Sequence, residues 1–289
     1  MIIDKPVFIE HIQKECSLFI RVFGDLFDPV SGNKPFKLKY FIEKANPAQT
    51  LLSFGGAWSN HLLALAALAF RKGHPSVGVL RGEKPLEPNP VMLKMLEFEM
   101  HLHFVSRTEY RSKTDSCFLD KLLELYPQAF IIPEGGAGRE GMRGAMEMVS
   151  EHEEYDFIVL PVATGTTLAG IAKKLSESKV KIIGIQVLKG QNAIRKQLIE
   201  SAAFDLNEYP NVCIIEDYHM GGYAKTNSAL MSFLNDWNSN QPCKLDNIYG
   251  AKAMMAVLDL ISKNYFQLNS KILYLHTGGL GHLKAETQR

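Results

Sequence analysis

The sequence predicts an α/β protein with largely parallel sheets. Short apolar strands of four to six residues alternate with amphipathic helical stretches along the chain. Glycine- and threonine-rich clusters recur directly after such strands, where ligands bind in sheets of this kind. At 289 residues the chain is long enough for two modest domains or one large one.

The elements follow in order. The segment before Lys34 is short and partly extended, with a strand at 18–22. Proline suits the first position of a helix, so a helix is expected to begin at Pro35, its body at 36–44. An apolar strand at 50–54 ends at Gly55-Gly56, and a Leu/Ala-rich helix at 60–72 is closed by Gly73. A strand at 76–80 leads into a loop at 81–90 holding three prolines. A helix is expected at 91–100, a strand at 101–105, a helix at 118–126 and a strand at 129–132. Further helices are expected at 141–153, from Thr167 to Leu175, and at 193–201, 226–235 and 252–262. The remaining strands are 157–160, 181–185, 212–215 and 271–276.

Composition excludes several classes. With 32 basic and 31 acidic residues the formal net charge is +1, which suggests neither a nucleic-acid nor a membrane surface. The longest apolar run, 62–70, falls short of the roughly 20 residues that span a bilayer. The N-terminus lacks the pattern of a signal peptide, so a cytoplasmic location is expected. Four scattered cysteines form no C-x-x-C pair, and His101 and His103 lack a third ligand, so no metal is expected. No G-x-S-x-G motif supports a serine hydrolase.

The stretch Ser31-Gly32-Asn33-Lys34-Pro35 places Lys34 at the start of a helix. The positive end of the helix dipole favours the neutral amine, the form that condenses with a carbonyl cofactor. By itself the stretch better describes a solvated lysine beside a turn, since most lysines are surface residues. Thr164-Gly165-Thr166-Thr167, between a strand and a helix, reads as a phosphate cradle or as an ordinary cap. Ser59 or Asn60 caps the 60–72 helix or contacts a ligand, and neighbouring His61 is a packing residue or a base. Tyr223 and Tyr249 lie beside glycines in loops, and Thr277 precedes Gly278-Gly279; structural roles are their default.

Taken together and in this order, these clusters resemble the 1-aminocyclopropane-1-carboxylate deaminase and D-cysteine desulfhydrase family of fold type II pyridoxal-phosphate enzymes. The matching segments are Gly32-Asn33-Lys34 with Lys37-Leu38, Gly55-Gly56-Ala57-Trp58-Ser59-Asn60, and Pro133-Glu134-Gly135-Gly136. Thr164 to Thr167, Gly222-Tyr223, Tyr249-Gly250-Ala251-Lys252-Ala253-Met254 and His276-Thr277-Gly278-Gly279 complete the match. The resemblance implies two three-layer domains, a larger one from 1–43 plus 147–289 and a smaller inserted one at 44–146, with pyridoxal 5'-phosphate in the cleft between them. It implies Lys34 as the lysine linked to the cofactor and the main proton-transfer base. Asn60 would hold the pyridine 3'-oxygen, Thr164, Gly165, Thr166 and Thr167 the phosphate, and Thr277 would face the pyridine nitrogen. Ser59, Tyr223 and Tyr249 would surround a small amino-acid substrate, and Lys37 and Lys39 would be ordinary helix residues. A homodimer is also implied.

Two departures bear on activity. Phe36 stands where the family usually carries an arginine, and Gly250 stands where the ring-opening deaminases carry an acid. Without that acid the pyridine nitrogen is less readily protonated and the electron sink is weaker. The expected activity is therefore deaminating β-elimination from a small amino acid, D-cysteine desulfhydrase-like, giving pyruvate and ammonia. The alternatives are ring opening of the cyclopropane amino acid to 2-oxobutyrate, a cofactor-binding protein with little turnover, and a nucleotide-binding α/β protein.

Overall fold

The computed structural model describes residues 2–7, 16–190, 193–222 and 225–281. The chain begins with strands β1 (Ile2–Pro6) and β2 (Cys16–Phe23) and helix α1 (Lys34–Lys44). A second group follows: β3 (Leu51–Gly55), α2 (Asn60–Lys72), β4 (Ser76–Arg81), α3 (Pro90–Glu97), β5 (His101–Val105), α4 (Arg107–Arg111), α5 (Ser116–Leu125) and β6 (Phe130–Ile131). The remainder is α6 (Arg139–Ala145), β7 (Phe157–Val162), α7 (Thr166–Lys174), β8 (Lys181–Gln186), α8 (Ala193–Ala202), β9 (Val212–Ile215), α9 (Ser228–Asn240), α10 (Gly250–Ser262) and β10 (Ser270–Leu275). No helix among the described residues is long and apolar enough to cross a membrane.

The strands form two sheets, one of order β1-β2-β10-β7-β8-β9 and one of order β5-β4-β3-β6. Every pairing is parallel except β1 with β2. Each sheet is covered on both faces. Along β10, Ile272 and Tyr274 enter one core with α9 and α10, while Leu273 and Leu275 enter the other with α6, α7 and α8. In β3, Leu51 packs with α1, α2 and α3, whereas Leu52 and Phe54 pack toward α4 and α5. Both units are thus three layers deep, as two-sided burial of short apolar strands requires.

The differences from the sequence reading have physical causes. Strand β1 has no apolar run, because Asp4, Lys5 and Pro6 interrupt it. It is held by Arg21, whose Nε and Nη2 each donate to Asp4 at 2.7 Å. Helix α1 begins at Lys34 rather than Pro35, with Asn33 at its N-cap. The helix expected at 141–153 is the shorter α6 followed by a 3-10 turn at Met146–Met148. Beyond it the side chains take over: Ser150 N–H donates to Glu153 at 2.8 Å and His152 N–H to the Ser150 hydroxyl at 3.2 Å. Helix α4 was not expected, although Ser106 and Glu109 form a capping box there. Helix α10 starts at Gly250, so Tyr249 is its N-cap residue.

Helix α6 joins the two units through glycines. A Cβ at Gly144 would lie 1.8 Å from the Phe36 carbonyl oxygen on α1, and one at Gly170 on α7 would lie 2.5 Å from the Met142 carbonyl oxygen. These contacts fix α1 against α7, whose leading ends carry Lys34 and the Thr164–Thr167 segment. Gly144→Ala would force two backbones apart and is expected to cost about 1–3 kcal/mol, the range for overpacking. Thermal or urea unfolding checks it, and an unchanged midpoint would show that the crossing yields.

Candidate active site

The turn before α1 is built on a close backbone crossing. Gly32 has φ +65°, and a Cβ there would sit 2.2 Å from the Thr277 carbonyl oxygen. A Cβ on Gly278, at φ +86°, would lie 3.1 Å from the Gly32 Cα. Asn33 N–H donates to the Thr277 carbonyl at 3.3 Å. The residue that opens α1 is thereby fixed against the segment leaving β10.

Lys34 is half-buried at this junction and its Nζ donates to Asn33 Oδ1 at 2.6 Å. Asn33 Nδ2 donates in turn to the Thr167 hydroxyl at 2.9 Å. One amide therefore links the lysine amine to the start of α7. Burial lowers the Lys34 pKa to about 8, with the Asp246 charge opposing that shift. Lys37, one turn further on, is buried rather than an ordinary surface residue. Its Nζ donates to Thr164 Oγ1 at 3.5 Å, and burial together with the Lys34 charge lowers its pKa to about 7. Lys39 pairs with Glu147 at an exposed position, as expected of a helix surface.

The segment from Thr164 to Thr167 connects β7 to α7. Gly165 adopts φ +80° at the N-cap and no side chain caps the helix there, so its leading N–H groups lack a side-chain acceptor. A Cβ on Gly165 would press within 2.9 Å of Ile194 and Leu198 on α8. Strand β7 pairs with β8 as far as Val162 but with β10 only as far as Val159. Pro161, which has no N–H, falls where that second pairing has stopped. The two strands part there, and a cavity opens at their carboxyl ends.

This cavity has a volume of about 680 Å³. Lys34, Ser59, Asn60 and Tyr249 line it, as do Thr164, Gly165, Thr167 and Thr277. Thr166 is fully buried outside the lining, with its hydroxyl 3.5 Å from that of Thr164. Tyr223 lies outside the described residues. Ser59 caps α2, accepting from Leu62 N–H at 3.2 Å. Phe36 does not line the cavity; its ring packs edge-on against Phe23 at 5.3 Å.

His61 also faces the cavity but is ill suited to be a base. Burial and the Lys37 and Lys34 charges hold its pKa well below the usual histidine value. The Ser53 hydroxyl donates to the Ile132 carbonyl at 2.8 Å, so His61 Nε2–H donates to Ser53, also at 2.8 Å. Nδ1 is left a buried acceptor with no partner among the described residues.

Sequence reasoning missed three residues at this site. Lys37 had only its spacing as a signal, since i and i+3 share a helix face. Asn33 was legible only as part of a motif, because its bond to Thr167 crosses 134 positions. Asp246 had a local signal, an Asx residue ahead of a helix. Its carboxylate accepts from the N–H groups of Ile248, Tyr249 and Gly250 at 2.7–2.8 Å. A Cβ on Gly250 would stand only 2.8 Å from Asp246 Oδ2, so that carboxylate occupies the space a side chain at position 250 would need.

The chain is similar to known proteins along most of its length. The sequence pattern of the family described as "Pyridoxal-phosphate dependent enzyme" matches residues 19–278. The chain is 28% identical over 270 residues to a Pyrococcus furiosus protein provisionally named 1-aminocyclopropane-1-carboxylate deaminase, covering 87% of this chain and 81% of that protein. It is 28% identical over 278 residues to the Arabidopsis thaliana protein named bifunctional D-cysteine desulfhydrase/1-aminocyclopropane-1-carboxylate deaminase, mitochondrial, covering 87% of this chain and 69% of that one. A crystal structure of a protein described as an ACC deaminase homologue superposes with a TM-score of 0.76 at 22% identity, over 99% of this chain and 93% of that one. That likeness shows the fold, which is fold type II. Because the family pattern runs through both sheets and every described element of the cavity wall, the chain belongs to the pyridoxal-phosphate dependent enzymes.

Proposed function

We propose that this protein is a deaminating lyase that performs β-elimination on a small amino acid, D-cysteine desulfhydrase-like, releasing pyruvate and ammonia. The observation that carries the reading is the Lys34–Asn33–Thr167 chain of hydrogen bonds. It puts an amine of lowered basicity and an uncapped helix end on one cavity.

The residues present fit pyridoxal phosphate. The cavity volume lies within the range of small-molecule sites. The uncapped start of α7, the hydroxyls of Thr164 and Thr167, and the Lys37 ammonium would hold the phosphate, with the buried Thr166 hydroxyl behind Thr164. Asn60 would hold the 3'-oxygen, and Thr277 would face the pyridine nitrogen. When bound, the cofactor supplies the electron sink for negative charge at the substrate Cα. Lys34 would condense with the aldehyde as a neutral amine and afterwards take the Cα proton on Nζ. Asn33 would steer that amine. Ser59 and the start of α2 would hold the substrate carboxylate, with Tyr249 and Tyr223 completing its surroundings. In the same reading, residues 1–43 with 147–289 and residues 44–146 form the two domains, and the protein is a cytoplasmic homodimer.

The lack of an acid at position 250 supports elimination, where departure of the leaving group relieves the carbanion. Ring opening to 2-oxobutyrate is the second reading, favoured by the buried Asp246 carboxylate beside that position.

The purified protein is expected to be yellow, with a visible absorbance that borohydride shifts and that Lys34→Ala lacks. Pyruvate is expected from D-cysteine, with D-serine, L-serine and the cyclopropane amino acid assayed alongside. 2-Oxobutyrate from the last would favour the second reading, and no keto acid from a cofactor-loaded protein would sink both. Cofactor loading of the stripped protein needs the neutral amine, so its rate should rise with pH through about 8. A rate flat from pH 6 to 10 would contradict the assignment to Lys34. Lys37→Met removes a buried ammonium, so the stripped protein should melt no lower than wild type while cofactor binding weakens about 10-fold or more. Equilibrium absorbance titration measures the latter.

A further inference from the structure

The wall of the cavity facing the four-stranded sheet carries a cation that the proposed chemistry does not use. Arg81 ends β4 and lines the cavity. It stands beside the loop that follows β3: a Cβ on Gly56 would lie 3.9 Å from Arg81 Nη2. Its guanidinium carbon is 5.7 Å from the centroid of the Tyr110 ring. That ring is a fixed platform, since Tyr110 is buried and its hydroxyl donates to Glu134 at 2.8 Å. Lys113, on the same ring at 5.1 Å, is paired with Glu134 at 3.4 Å. Glu134 is thus already engaged twice, and among the described residues no carboxylate pairs with Arg81. A stacked guanidinium with its donor edge unclaimed is suited to planar or tetrahedral anions.

Resting on the elimination reading, we propose that Arg81 is a specificity residue that receives a second anion, borne by the substrate's side chain. The α-carboxylate is already provided for by the start of α2, one strand away from Arg81. The preferred substrates are therefore amino acids whose β-substituent is a carboxylate, sulfonate or phosphate, and productive turnover needs one that can leave. In that step the Cα proton passes to Lys34 and the Cβ–substituent bond breaks. Its electron pair departs with the anion, and water releases the three-carbon remainder as pyruvate and ammonia.

Two measurements on the cofactor-loaded protein test this. Calorimetric titration with both enantiomers of aspartate and alanine should show aspartate bound about 10-fold or more tightly than alanine, a preference that Arg81→Gln abolishes. Equal binding of the two by wild type, no binding of aspartate, or a preference that survives Arg81→Gln would overturn the proposal. Pyruvate release from O-phosphoserine and β-chloroalanine gives a ratio of kcat/KM values that Arg81→Gln should lower about 30-fold or more. A parallel loss on both substrates would overturn the proposal and assign Arg81 to the α-carboxylate or to folding. A wild-type protein that prefers aspartate yet releases pyruvate from neither substrate would refute elimination and leave the anion subsite standing.

Discussion

The site depends on two backbone segments passing where no Cβ can stand. The turn at Gly32 crosses Thr277 and Gly278 so closely that a side chain on Gly32 would overlap the peptide beyond it. That crossing aims the start of α1 at the end of β10, and every distance around Lys34 follows from it. Gly144 and Gly170 extend the same principle through α6, holding α1 and α7 at a separation set by backbone contact. Backbone contacts are stiffer than side-chain packing, because they cannot be relieved by a change of rotamer. In the role proposed for it, Lys34 would have to meet a cofactor's carbonyl closely, and such a frame would serve that.

The electrostatics follow from that geometry. Lys34 and Lys37 lie one turn apart on one helix face, the first half-buried and the second buried; the Lys34 charge disfavours that of Lys37, and both disfavour a charge on His61. A buried ammonium without a counter-ion is costly, and two near each other more so. A phosphate group at the start of α7 would relieve that cost. The buried Asp246 carboxylate partly offsets the effect on Lys34, and it is held by three N–H groups of the α10 turn.

Much of this was legible in the sequence, for physical reasons. Strands buried on both faces must be apolar, so their positions and the polar clusters at their ends could be read directly. The cavity then gathered Lys34, Ser59, Asn60, Thr164, Gly165, Thr167, Tyr249 and Thr277. What was not legible depends on contacts distant in sequence. Lys37 looks like any helix lysine until α6 and the Gly135–Gly136 turn close over it. Strand β1 exists because Arg21 reaches Asp4, and nothing in Ile2–Pro6 announces that. Phe36 looked like a disturbance two residues from the amine, yet its ring turns to Phe23, away from the cavity. Helix geometry sends neighbouring side chains in different directions, so closeness in sequence is a poor guide to closeness at a site.

The strand order carries a consequence in time. Strands β3 to β6 come from one continuous stretch of chain, so the four-stranded sheet can assemble while a ribosome is still extending the polypeptide. The six-stranded sheet is completed later, because β10 is inserted between β2 and β7 and is the last of the described strands to be made. Until Leu275 emerges, β2 and β7 have a gap between them and the Gly32 turn has nothing to cross. Lys34 therefore lacks the crossing that fixes it through most of the chain's synthesis, whereas the turn and helix that cover Lys37 are made earlier. The surroundings of Lys34 are complete only when β10 takes its place in the middle of the sheet.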